Sequence, residues 1–159
     1  MGVFLSLYPN TLGLGYVCAD MPDKLMDYGI LNVRPPNNSK IMVHVKRFID
    51  YFKPTILIVR ENKVVSDRDK RIALLIREIE VYAKEVGMQV HLYTREQVED
   101  VFEIFGASTK HDRVAKILEW FPNLENHAPG AKKIYMPENY NTGIFDALAL
   151  AITHHYLHE

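Results

Sequence analysis

An α/β fold, a mixed β-sheet with helices on both faces, is what this sequence predicts, and three observations carry that expectation. Two apolar, strand-like segments flank a Pro9-Asn10 turn near the start. A continuous apolar run, Thr55-Ile56-Leu57-Ile58-Val59, has the character of a central strand covered on both faces. From there helical and extended patterns alternate, and the chain closes in helices.

Gly2 to Tyr8 reads as a buried strand, and Thr11 to Ala19 returns beside it, with Gly13 and Gly15 thinning its side chains. Asp27 to Val33 adds a third strand, ended by Arg34-Pro35-Pro36 and the polar Asn37-Asn38-Ser39 turn. Ser39 then caps a helix whose apolar stripe is Ile41, Val45, Phe48, Ile49 and Phe52, and Pro54 stops it. After the apolar strand comes a charged loop, Arg60 to Asp69. Ser66 with Asp69 approximates a capping box for a helix that presents Ile72, Leu75, Ile76, Ile79, Tyr82, Ala83 and Val86 before Gly87 ends it. Met88 to Tyr93 is the next strand, and Thr94 with Gln97 caps a short helix bearing Val98, Val101, Phe102 and Phe105 up to Gly106. Val114, Ile117, Leu118 and Phe121 mark a further helix closed by Pro122. Asn123 to Asn141 reads as a long surface loop with an extended piece at Ile134-Tyr135-Met136, and the last helix runs from Gly143 to Tyr156 behind a Thr142 cap.

The bulk properties narrow the class. With 159 residues, 48% hydrophobic and 25% charged, the expectation is one globular domain spanning 1–159. A lone Cys18 cannot pair within the chain and fits a reducing compartment. The apolar start lacks the basic flank of a signal peptide, and no apolar run approaches the ~20 residues that span a bilayer, so a cytoplasmic protein with no membrane partner is expected. A net charge of -1 and a pI of about 6.7 give no general pull toward phosphate backbones, although a local basic patch can still bind them.

The segment Thr142-Gly143-Ile144-Phe145-Asp146-Ala147-Leu148-Ala149-Leu150-Ala151-Ile152-Thr153-His154 resembles the last helix of RuvC-type Holliday-junction resolvases. The likeness extends over the opening hairpin, the Pro54 to Asn62 strand, the helix after it and the Gly106 to Val114 turn. It implies an RNase H-like (RuvC-like) fold, a homodimer, branched DNA as partner, and two-metal phosphodiester chemistry in which magnesium is held by convergent carboxylates. Of the four acids the family carries, this chain matches only Asp146. Tyr8 stands at the aspartate of the first strand, Arg60 at the glutamate of the central strand, and Gly143 at the first acid of the last helix. A phenol is a poor magnesium ligand at neutral pH, and a fixed positive charge repels the ion. At the family's lysine before a helix the spacing selects His111, with Lys110 one residue earlier. The resemblance therefore implies a RuvC-like frame with degraded acids: a nucleic-acid-binding or interaction module without a cofactor. The alternative is an active, magnesium-dependent endonuclease in which Asp146 works with displaced acids such as Glu61, Glu138 or Asp112.

Plainer roles stand beside these. Asp146 in the first turns of a helix is favoured by the helix dipole alone. Arg60 is expected to pair with Glu61 or Asp146 rather than with a phosphate, since a buried guanidinium needs a carboxylate. Strand alternation aims Glu61 away from the site unless a bulge corrects it. Lys63, Arg68, Lys70 and Arg71 lie where the family's loop engages the junction, but Glu61, Asp67 and Asp69 interleave them, and Lys132 and Lys133 call for the same caution. His154, His155 and His158 offer only two ligands on one helical face, weak grounds for zinc.

Overall fold

The computed structural model describes residues 2–21, 24–127 and 142–158, with the backbone alone at positions 21 and 68. Strands β1 (Phe4–Pro9) and β2 (Gly13–Met21) form an antiparallel hairpin. Its turn is held by Asn10, whose Oδ1 accepts from the amides of Leu12 and Gly13 at 2.9 and 3.0 Å, the local bonding that makes asparagine a turn residue. Strand β3 (Lys24–Asn32) continues antiparallel to β2. Strands β4 (Ile56–Arg60) and β5 (Gln89–Tyr93) lie parallel to β1, giving the order β3-β2-β1-β4-β5. The apolar run is thus an interior strand, as expected, with β1 in the middle of the sheet.

Period-two alternation sorts the core into two layers. Leu5, Leu7, Leu57 and Val59 face helices α1 (Asn38–Phe52) and α2 (Asp67–Glu85), packing with Ile41, Val45, Leu75 and Ile79. The alternate residues Phe4, Val17 and Ile58 face α3 (Arg95–Ile104), α4 (Lys110–Trp120) and α5 (Thr142–Leu157). Helix α5 is buried nearly all round between sheet and helices, which explains why its sequence is apolar on every side.

Helix ends depart from expectation in informative ways. Asn37, not Ser39, caps α1, because its side-chain oxygen accepts from the Lys40 amide at 3.1 Å and leaves Ser39 inside the first turn. Ser66 caps α2 as expected, though Asp69 reaches past it to the Val65 amide at 3.2 Å. The Thr94/Gln97 capping box is present, and a second one joins Thr109 to Asp112 at the start of α4. Val86 and Phe105, expected on apolar faces, are exposed because each sits at the C-cap, past the last helical residue. Where a loop was expected after Pro122, a 3-10 turn (Pro122–His127) buries Leu124. Thr142 is the first residue of α5 rather than its cap. The rest of the expected loop, with Ile134 to Met136, Lys132, Lys133 and Glu138, lies outside the described residues. No helix among the described residues is long and apolar enough to cross a membrane.

Candidate nucleic-acid interface

Because β1, β4 and β5 run parallel, their carboxyl ends share one edge of the sheet, the place where open α/β sheets form ligand crevices. Alternation points Tyr8, Arg60 and Tyr93 to the α5 side there, and Arg60 is in register with Tyr93. Opposite them, α5 brings Asp146, held close to the sheet by two contacts. Gly143 lies against Gly15 so closely that a side chain on Gly15 has no room and one on Gly143 would be tight. One turn on, the buried Ser6 hydroxyl donates to the Ala147 carbonyl at 2.6 Å. The result is a cleft of about 380 Å³ that gathers Tyr8, Arg60, Tyr93, Lys110, Arg113 and Asp146, with Glu61, Arg95 and Glu99 also lining it.

Arg60 pairs with neither Glu61 nor Asp146, contrary to expectation. Its guanidinium stacks on the Tyr8 ring at 4.4 Å from the centroid, and donates to the Pro9 carbonyl at 2.8 Å and to Asn62 Oδ1 at 3.0 Å. A planar fork over an aromatic face satisfies a partly buried guanidinium without a carboxylate. The Asn62 amide nitrogen behind it is buried with no partner among the described residues. Asp146 is paired instead with Lys110, Nζ to Oδ1 at 3.4 Å, its side chain only 20% exposed. Burial raises the Asp146 pKa, and Lys110, Arg60 and Arg113 oppose that rise. Burial, then the Asp146 charge, likewise raises the Tyr8 pKa. Tyr8 is therefore a neutral phenol at physiological pH.

Among the described residues no three carboxylates converge here as a magnesium site asks. The ion wants several hard oxygens in octahedral array, whereas Tyr8 offers a neutral phenol, Asp146 is engaged by Lys110 and Glu99 by Arg95, and Glu61 stands at the rim. Among the described residues, Asp146 belongs to no group of three acids or histidines close enough to share an ion. Of the displaced acids, Asp112 is tied into the α4 capping box. Glu61 does reach the cleft rim, because β4 ends at Arg60 and strand alternation no longer governs the next residue.

The described members of the basic cluster after β4 each have a partner. Lys63 pairs with Glu96 at 3.7 Å and Lys70 with Asp67 at 3.5 Å, while Arg71 turns inward to Asn38 Oδ1 and the Asn10 carbonyl, both at 2.9 Å. Arg71 thus ties the β1–β2 turn to α1 and α2. The Arg68 side chain lies outside the described residues. Of the two candidates near α4, Lys110 lines the cleft and the exposed His111 does not. Arg95, Arg113 and Glu99 were missed. The available signal was the Thr109/Asp112 box, which starts α4 in a way that sets Lys110 and Arg113, three apart, on one helical face.

No family model matches the chain, and no curated protein matches it. Solved structures do. The Thermus thermophilus RuvC structure superposes with a TM-score of 0.67 at 20% identity, covering 97% of this chain and 93% of that one. The fold is RuvC-like. RuvC of T. thermophilus in complex with Holliday junction substrate gives a TM-score of 0.69 at 18% identity, over 97% and 92% of the two chains. The crystal structure of the yeast mitochondrial Holliday junction resolvase gives 0.54 at 12% identity, over 96% and 82%. The mixed sheet with helices on both faces is thus the RuvC, RNase H-like α/β architecture.

Proposed function

We propose that this RuvC-like protein binds branched DNA at the cleft and does not cut it by a magnesium-dependent route. The observation that supports this reading most directly is cationic: an arginine stacks on Tyr8 and a lysine pairs with Asp146, the one acid that the resemblance assigns to metal binding. Arg60, Arg95, Lys110 and Arg113 against Glu61, Glu99 and Asp146 leave the cleft at 4 - 3 = +1, although the chain as a whole carries -1. Positive charge at a cleft inside a slightly negative surface favours local over general phosphate contact. The similarity to a RuvC that holds a Holliday junction supports a four-way junction as the ligand of choice, and a cytoplasmic homodimer is part of the same proposal.

The test is fluorescence anisotropy on four-way junction, duplex and single-stranded DNA across a salt series, alongside a denaturing gel after incubation with magnesium or manganese. Junction binding that weakens steeply with salt and leaves the strands intact is expected, because cations released from phosphates carry the affinity. Arg113→Ser should weaken binding and flatten the log-log salt slope by about 1. Junction cleavage that disappears in Asp146→Asn would overturn the reading, as would an absence of affinity for all three DNAs at low salt.

A further inference from the structure

Along the sequence His154 and His158 are one ligand short of a metal site, with His155 between them on the exposed side of α5. The fold supplies the third ligand from elsewhere. His91 on β5 points to the α5 face, two residues before Tyr93, and one ring nitrogen from each of His91, His154 and His158 falls within 4.8 Å of the others. The ring centroids of His91 lie 4.5 Å from His154 and 5.0 Å from His158, and those of His154 and His158 are 4.3 Å apart. We propose that His91, His154 and His158 form a three-histidine site for a zinc-type divalent transition metal, which fastens the last turns of α5 to the edge strand β5.

Three arguments support the site. The first is reach: zinc bonds of about 2.0–2.1 Å in a tetrahedron set ligand nitrogens roughly 3.4 Å apart, so rotation of the rings closes the present spacing without moving backbone. The second is the outer shell. A metal-bound histidine usually donates its other ring N–H to a carbonyl or similar acceptor. His158 Nδ1 lies 3.1 Å from the His154 carbonyl, which can only accept; Nδ1 therefore carries the proton and the free lone pair is on Nε2. His154 Nδ1 sits 2.6 Å from the Tyr93 hydroxyl, a second orienting contact. The third is readiness. Burial first, and neighbouring imidazoles next, hold His154 at about 4 and lower His91, so both rings are neutral and able to ligate at physiological pH. Three imidazoles leave a fourth position for water, and softer nitrogen ligands favour zinc, cobalt, nickel or copper over magnesium.

Isothermal titration of zinc chloride into the tag-free chain near neutral pH should give one ion per chain. His91→Gln and His158→Gln should each weaken binding by at least about tenfold, while His44→Gln, on α1 across the sheet, leaves it unchanged. Cobalt should give the visible absorption of a tetrahedral nitrogen site in the wild type and lose it in His91→Gln. To guard against a variant that misfolds, imidazole NMR signals of the wild type are followed during titration: those of His91, His154 and His158 should shift together and saturate at one equivalent. Wild-type affinity no higher than that of the folded variants would overturn the site, and so would shifts confined to other histidines.

Discussion

Replacing Gly15 with alanine is expected to lower the thermal midpoint by about 6–12 °C. A methyl group there overlaps the carbonyl of Gly143 and comes to 2.6 Å from its Cα, inside the separation real Cβ atoms keep. All the offending atoms are backbone, so no rotamer change relieves them and the first turn of α5 must move away from β2. Overpacking costs about 1–3 kcal/mol, and a backbone-on-backbone overlap belongs at the upper end. For a chain of this size each kcal/mol shifts the midpoint by roughly 2–4 °C, which yields the range above at about 3 kcal/mol. Circular dichroism melts of wild type and Gly15→Ala measure it. Gly29→Ala is the internal control, because the atoms its methyl group meets all belong to the Tyr16 side chain, which can turn. A Gly15→Ala midpoint within 2 °C of wild type, or a Gly29→Ala loss of equal size, would refute the claim that glycine is kept here for close approach. The same contact bears on any attempt to restore an acid at Gly143, whose Cβ would lie 3.0 Å from Ile30 Cγ2 and 3.1 Å from Gly15 Cα.

Three further outcomes follow from the site. Asp146→Asn should raise the midpoint near pH 7: burial raises the folded pKa above its unfolded value, so the ionised wild type is penalised at neutral pH, and the gap between the two proteins should close as pH falls through that folded pKa; a lower midpoint for the variant at neutral pH would contradict this. His154, depressed to about 4, works in the other direction: stability present above the unfolded value near 6.5 is lost as pH falls toward 4, by about 1 kcal/mol once solvent screening of a half-exposed ring is allowed for, and His154→Gln should flatten that part of a midpoint-against-pH curve. Arg71→Gln should cost about 1.5–3 kcal/mol in chemical denaturation, because two charge-assisted bonds are lost, yet leave the salt dependence of DNA binding unchanged; a flatter salt slope would return Arg71 to the interface.

The elements legible in the sequence were those whose causes are local. The Thr94/Gln97 box, the Ser66 cap and the Ile56–Val59 run needed only neighbours within four residues, and each stands where its pattern placed it. Asp146 was legible as a site residue, but its partner was not. Lys110 meets it across two helices, and no spacing along the chain encodes that meeting. The Arg60 expectation failed for a related reason. The demand for a carboxylate was sound in general, yet a tyrosine face, a proline carbonyl and an asparagine met it jointly. For the basic run from Lys63 to Arg71, charge counted along a line says nothing of direction, and Arg71 points inward. His91 was invisible beside His154 for want of a register.

The hydroxyl of Ser6 and the carbonyl it meets are 141 positions apart. One whole face of the sheet, with Phe4, Val17, Ala19 and Ile58, is roofed chiefly by the final helix. During synthesis, then, one face of β1 and β2 must wait for its main cover until a helix 141 positions beyond Ser6 has been made. Contacts this distant slow folding and leave apolar strands open to wrong partners meanwhile. A ribosome that stalls before Thr142 releases a sheet without the main cover of one face and without Asp146, a product for chaperones and proteases rather than a weaker version of the protein.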